Sequence, residues 1–320
     1  MFAPQILRSK MRLLIILAIF AVACSGSVDQ KTNEPTVAER QQQLLSELPT
    51  PSTNPGYKAG SIVIGSTGFD AFLVEIDKDK RWKLLKARYN PSRVYEDEVT
   101  LEDITNGLRT YYNELVADGV SEENIHLLIS SSAAKNPRLI GIRAVLEHIG
   151  VNVMAVTAEE EARFALMATI PPKLLQSSFL ADIGSGNTKI AWMKNGEIKS
   201  EETYGSKYFQ SETPDQLVFN EVQKATKRVP ETNRATCFVI GGAPYLMVGE
   251  LEKHRERYSF LLAPSAYQNN DSERINAGAN IYAAIREESG TDLFIFEWDS
   301  NFSIGYLLTQ EVPDDVLQDQ

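Results

Sequence analysis

At 320 residues, 43% hydrophobic and 23% charged, the chain is longer than one core usually serves and too apolar to be disordered overall, so two lobes of ordinary size are expected. A formal charge of −11 argues against a surface that wraps a polyanion. No nucleic-acid partner is expected, and an anionic ligand must bind in a local pocket.

The first 23 residues read as a signal peptide. Arg8, Lys10 and Arg12 precede an apolar run of 11 residues, 13–23, which is too short to span a bilayer and has the proportions of a signal-peptide h-region. Ala21-Val22-Ala23-Cys24 is a degenerate lipobox, which points to an exported lipoprotein anchored through Cys24 to a membrane of a bacterial cell envelope. Ordinary cleavage after Ala23, releasing a soluble protein, is the plainer alternative. The other cysteine is Cys237, so Cys24 is not needed for a disulfide framework. Residues 24–57 read as the lipidated cysteine and a polar Ser/Thr/Pro/Gln tether. Removing the three positive charges of Arg8, Lys10 and Arg12 takes the formal charge from −11 to −14.

Two stretches then repeat one pattern, an apolar strand, a small-residue turn and another apolar strand. Residues 61–69 contain Ile64-Gly65-Ser66-Thr67-Gly68, and residues 180–188 contain Ile183-Gly184-Ser185-Gly186-Asn187. They share Ile-Gly-Ser in register. A hairpin follows each, turning near Asp77-Lys78-Asp79-Lys80 in the first and at Asn195-Gly196 in the second. A duplicated strand–turn–strand opening each half suits a two-lobed actin/sugar-kinase/Hsp70 (ASKHA) fold, although short Gly/Ser turns are common enough to match by coincidence. Between these landmarks, residues 100–118 carry Leu101, Ile104, Leu108, Tyr112 and Leu115 at helical spacing. A strand over 125–130, a helix over 138–149, a strand over 151–156 and a helix over 159–167 follow. Pro171-Pro172 ends that run, giving an α/β first lobe over 58–172. The second, over 173–320, repeats the order with a helix at 214–228, a strand at 235–240, a helix at 276–288 and a strand at 292–297.

From Ser61 to Leu308 the order of motifs resembles the exopolyphosphatase/guanosine pentaphosphatase (Ppx/GppA) family in a short, two-lobe form. Ser131-Ser132-Ala133, Gly150-Val151 and Thr157-Ala158-Glu159-Glu160-Glu161-Ala162-Arg163 parallel its T-S-A, G-I and S-G-E-E-E-A-R strings. Asp182-Ile183-Gly184-Ser185-Gly186-Asn187-Thr188 resembles D-I-G-G-G-S-T. Gly205 fits the glycine after the second hairpin, Gly241-Gly242-Ala243 its G-G-T turn, and Glu273-Arg274 with Ala277-Gly278-Ala279 its E-R and A-G-A segment. The resemblance implies two RNase-H-like lobes with an inter-lobe cleft, and hydrolysis of a phosphoanhydride in it.

Such chemistry needs backbone donors for non-bridging oxygens, a group that orients water, and positive charge near the transferring phosphoryl. The turns Gly65-Ser66-Thr67-Gly68 and Gly184-Ser185-Gly186-Asn187 expose successive N–H groups with little bulk, and could grip a phosphate chain between them. The resemblance makes Glu161 the residue that orients water, Asp182 a metal-associated aspartate, and Gly241 and Gly242 part of the phosphate site. Glu161 also reads as one of three acidic residues solvating a first helical turn. Three positions depart from the family: Val63 stands for an aspartate, Lys189 for a glutamate and Lys135 for an arginine. Together they weaken a Mg²⁺ site. Either Lys189 and Lys135 supply the charge of a cation, leaving a divergent hydrolase of polyphosphate or a related phosphorylated molecule, or the cleft binds such ligands without turnover. Lys189 as a solvent-facing edge-strand lysine is the bland reading. His126, His148 and His254 show no metal-ligand spacing, and Cys237 reads as a buried thiol.

Overall fold

The chain's alternating apolar strands build one sheet topology twice. The structure, a computed structural model, describes residues 35–50, 53–65, 68–90, 101–135, 143, 153–249 and 256–313. The expected signal peptide, Cys24, the helix over 138–149 and the turn residues Ser66 and Thr67 lie outside the described residues. Strands β1 (Gly56–Ile64), β2 (Phe69–Asp77), β3 (Trp82–Asn90), β4 (Ile125–Ile129) and β5 (Val153–Ala155) form a sheet in the order β3-β2-β1-β4-β5. Strands β6 (Ser178–Ile183), β7 (Asn187–Lys194), β8 (Glu197–Tyr204), β9 (Thr236–Ile240), β10 (Tyr258–Phe260) and β11 (Leu293–Glu297) form another, β10-β11-β9-β6-β7-β8. Read from β8, the second sheet has the order of the first, with β10 added antiparallel at the far edge. In each, the first three strands are antiparallel and the next two parallel, as in an RNase-H-like lobe.

The two opening turns close the same way. Gly65 N donates to Gly68 O at 2.8 Å, and Gly184 N to Asn187 O at 3.1 Å. This sets the register of the repeat: Gly68 corresponds to Asn187, Val63 to Asp182 and Asp70 to Lys189.

Strand alternation gives each sheet two apolar faces. Helix α2 (Leu101–Ala117) covers the outer face of the first sheet, with Ile104, Leu108 and Leu115 clustered with Ile62, Ile64 and Leu73. Helices α5 (Asp215–Thr226), α6 (Gly242–Gly249) and α7 (Glu273–Ser289) share the outer core of the second sheet with Phe179, Ile183 and Phe294. Between the sheets lie α4 (Ala158–Thr169) and α8 (Phe302–Thr309), whose Ala162, Leu166, Ile304 and Leu307 join Val63, Val74, Leu180 and Ile295 in one core. Helix α4 starts at a capping box, in which Thr157 N donates to Glu160 Oε2 at 2.9 Å and Glu160 N to Thr157 Oγ1 at 3.1 Å.

Besides the short helix over Ser131–Ala134, three helices among the described residues depart from the sequence reading. The span read as tether holds α1 (Val37–Glu47), with its own capping box, a buried Leu44 and an Arg40–Asp292 ion pair of 3.0 Å against the second sheet. Strand β1 starts at Gly56, before the expected end of the tether. Helices α6 and α8 are almost wholly apolar and carry no polar stripe for periodicity to find. The sheets divide on either side of Pro171-Pro172, but α8 returns to the first sheet, packing on α4, β1 and β2. There Ser303 Oγ lies 2.8 Å from Ser61 Oγ.

Candidate functional site

Three adjacent strands set a row of charges on the inner face of the second sheet. Asp182 on β6 is paired in register with Lys189 on β7, and Lys189 with Glu202 on β8. Glu161, in the first turn of α4, lies against this row. Lys189 Nζ donates to Glu161 Oε1 at 2.5 Å and lies 3.8 Å from Asp182 Oδ2. Lys189 is 2% exposed and Glu161 4%, so neither is the solvated surface group that its bland reading expects. Burial opposes the charge on Lys189, but Glu161 and Asp182 outweigh it and hold its pKa above the usual lysine range. Asp182 is pushed up to about 6, chiefly by burial; Lys189 offsets part of this and Glu161 adds to it. At 3.8 Å the ammonium gives Asp182 less than burial removes.

A second layer of contacts ties the two lobes together above this row. Short helix α3 (Ser131–Ala134) follows β4, and the Ser131 backbone N donates to Glu161 Oε2 at 2.8 Å. Asn187, at the end of the second turn, donates through Nδ2 to Ser131 Oγ at 3.1 Å and to Glu202 Oε1 at 2.8 Å. Lys135 reaches the same Glu202 oxygen at 2.7 Å with an exposed side chain. Burial raises the Glu202 pKa, but its bonds to Lys135 and Asn187 leave it below the usual range. Glu202 was not among the residues singled out by sequence; its strand alternates polar residues and gives no motif.

The second turn is held by backbone and by one guanidinium. Ser206 N donates to Gly184 O at 2.9 Å and Lys207 N to Ser185 O at 3.0 Å. The chain passes so close at Gly205 that a Cβ there would lie 2.3 Å from Asn187 N. Gly241 adopts φ +107° against the Ile183 carbonyl and Asp182, a conformation that favours glycine. Arg274, near the start of α7, donates from Nη2 to Ser185 Oγ at 2.7 Å; a side chain on Gly242 would run into that guanidinium. Arg274 Nε is buried without a hydrogen-bond partner among the described residues. Across from it is Asp70, two residues beyond Gly68, whose carboxyl burial pushes up to about 7 against the pull of Arg274. Lys207 is held below the usual lysine range by burial and by Arg274. Arg274 thus bonds Ser185 of the second turn and acts electrostatically on Asp70, beyond the first.

These residues do not fit a divalent cation. The Lys189 ammonium sits between the Glu161 and Asp182 carboxylates, where a cation would have to bind. Among the described residues, no group of three or more His, Cys, Asp and Glu is arranged to hold a metal. His126 is half-buried on β4, and Cys237 is buried with its thiol pKa driven up by burial.

No protein-family model matches the sequence, and no curated protein matches it. Solved structures do. A Ppx/GppA phosphatase from Aquifex aeolicus superposes with a TM-score of 0.58 at 15% identity, covering 80% of this chain and 100% of that one. A second structure of the Aquifex aeolicus family member gives 0.59 at 16% identity over 83% and 99%. An exopolyphosphatase from Cytophaga hutchinsonii gives 0.60 at 12% identity over 79% and 97%. At these identities the likeness is one of fold: the chain has the two-lobed ASKHA fold, in the form seen in Ppx/GppA phosphatases and exopolyphosphatases.

Proposed function

We propose that the inter-lobe site binds the end of a phosphoanhydride chain, polyphosphate or a related phosphorylated molecule, and hydrolyses it without a divalent cation. The observation that carries this reading is the Glu161–Lys189 pair, an acceptor for a water proton and a fixed positive charge 2.5 Å apart beside the second turn. Backbone N–H groups around Gly184–Asn187, with Arg274 on Ser185, take the non-bridging oxygens. Glu161 receives a proton from water as the oxygen attacks the terminal phosphorus, the bridging P–O bond breaks, and Lys189 compensates the charge that develops. The shared fold with exopolyphosphatases supports the substrate class. Lys135 and the first turn guide the incoming chain.

A specific observation favours a second reading, binding without turnover. Both Glu161 oxygens already accept hydrogen bonds, one from Lys189 and one from Ser131 N. Phosphate release separates the two. With hydrolysis intact, Glu161→Gln lowers release from polyphosphate by about two orders of magnitude while leaving binding nearly unchanged, because orienting water matters chiefly in the transition state. Wild-type protein that binds polyphosphate but releases no phosphate above the Glu161→Gln background overturns the hydrolase reading. We further propose that the protein is exported and anchored by a lipid on Cys24.

A further inference from the structure

Strand β8 is an edge of the second sheet, and its register with Lys189 puts Glu202 on the inner face, beside the Glu161–Lys189 pair. One Glu202 oxygen, Oε1, takes a donor from each lobe: Lys135 Nζ of the first at 2.7 Å and Asn187 Nδ2 of the second at 2.8 Å. Asn187 also closes the second turn through its carbonyl and donates to Ser131 Oγ at 3.1 Å. Burial opposes the charge on Glu202, but Lys135, Asn187 and Lys189 outweigh it, so the carboxylate stays ionised at neutral pH. An ammonium and an amide converging on one oxygen from opposite lobes make a seat for an anion, and a carboxylate of the chain itself fills it. That seat is open to solvent. The Lys135 and Glu202 side chains are 66% and 35% exposed, so a change of rotamer carries the carboxylate into water without disturbing the sheet. An exposed ion pair of this kind is weakly held, whereas a phosphate chain anchored on the second turn has further donors to meet.

We propose that Lys135 and Asn187 form an anion subsite for one phosphate group of the incoming chain, and that Glu202 fills it in the free protein as an internal competitor. The chain binds there by displacing the Glu202 carboxylate, which frees Lys135 to pair with phosphate. This rests on the phosphoanhydride reading of the cleft and adds to it the residue that limits affinity. Removing the Glu202 charge should therefore tighten binding, the opposite of what the loss of a ligand-binding residue does.

The test is calorimetric titration of the full chain with tripolyphosphate. Glu202→Gln keeps the size of the side chain and removes its charge, so it should bind about tenfold or more tighter than wild type, the worth of a freed charge-assisted hydrogen bond. Glu202→Ala should show the same gain. Glu197→Gln, on the same strand and paired with Lys199, removes an equal charge away from the subsite and should change affinity by less than about twofold. Adding Lys135→Ala to Glu202→Gln should cancel most of the gain, because the freed ammonium supplies it. Unaltered or weaker binding in both Glu202 variants overturns the proposal, as does an equal gain in Glu197→Gln or a gain that survives Lys135→Ala. Where wild type binds tripolyphosphate and the Glu202 variants bind no tighter, the internal competitor alone is refuted. Absence of binding in every one of these proteins removes the phosphate reading of the cleft with it.

Discussion

Lys189 and Asp182 face each other in register across β6 and β7, yet the Lys189 ammonium is closer to Glu161 of α4, at 2.5 Å against 3.8 Å to Asp182. One strand residue thus holds an acid on its neighbouring strand and another on a helix between the sheets. Removing the cation leaves two buried carboxylates unpaired. Lys189→Met should cost about 3–5 kcal/mol, measured by urea denaturation. Lys189→Glu should be destabilised similarly and should regain stability as Mg²⁺ is added, since its new carboxylate joins those of Glu161 and Asp182 to make three. Wild type should not respond. A Lys189→Glu variant whose melting temperature ignores Mg²⁺ would exclude the view that lysine stands in for a cation here.

Asp70 occupies the position in the first repeat that Lys189 holds in the second, and its pKa is raised from 3.8 to about 7. The folded state therefore holds the Asp70 proton more tightly than the unfolded state does. Its contribution to stability is complete below pH 4 and is lost as the pH climbs through about 7, on the order of 2 kcal/mol after discounting for partial exposure. In Asp70→Asn that part of the slope between pH 4 and 7 should vanish, whatever the variant's absolute stability. Parallel pH–stability curves for the two proteins would show that Asp70 is not the group responsible.

The repeat itself was legible because Ile-Gly-Ser recurs at equivalent places and both turns close on the same backbone bond. Helix α4 is legible from its acidic first turn, Glu159 to Glu161. The relations that make a site were not. Glu202 meets Lys189 only through the β7–β8 register, and Asp70 meets Arg274 only once the two lobes are assembled. Residues 37–47 read as tether because their composition is polar, although Leu44 is buried in the core and Arg40 pairs with Asp292. Helix α8 was missed for the opposite reason: Phe302, Ile304 and Leu307 are buried between two sheets, so the segment has no wet face.

Lipidation predicts a fractionation result. Cys24→Ala should shift the expressed protein from the membrane to the soluble fraction, because the several acyl chains of a bacterial lipoprotein hold far more firmly than a single chain. Equal partition of the two forms would leave Cys24 without that role.

Helix α8 crosses α4 at Gly305 with no room for a side chain. A Cβ there would lie 1.8 Å from the Phe164 carbonyl oxygen, which belongs to backbone and cannot swing away. Gly305→Ala must push the two helices apart inside a closely packed layer, at about 1–3 kcal/mol or more. Gly107, in α2, is the contrasting case. Its nearest neighbour would be a Phe69 ring carbon at 3.6 Å, an ordinary contact, so Gly107→Ala should gain about 0.5–1 kcal/mol of helix propensity. Opposite signs in urea denaturation check both. The crossing also bears on the site, because Phe164 follows Glu161 by less than one turn of α4. A displaced α4 draws Glu161 away from Lys189 and the Ser131 N–H, so phosphate release should fall in Gly305→Ala even where the protein remains folded. Full release from a folded but destabilised Gly305→Ala would mean that the placement of Glu161 by α4 does not limit the reaction.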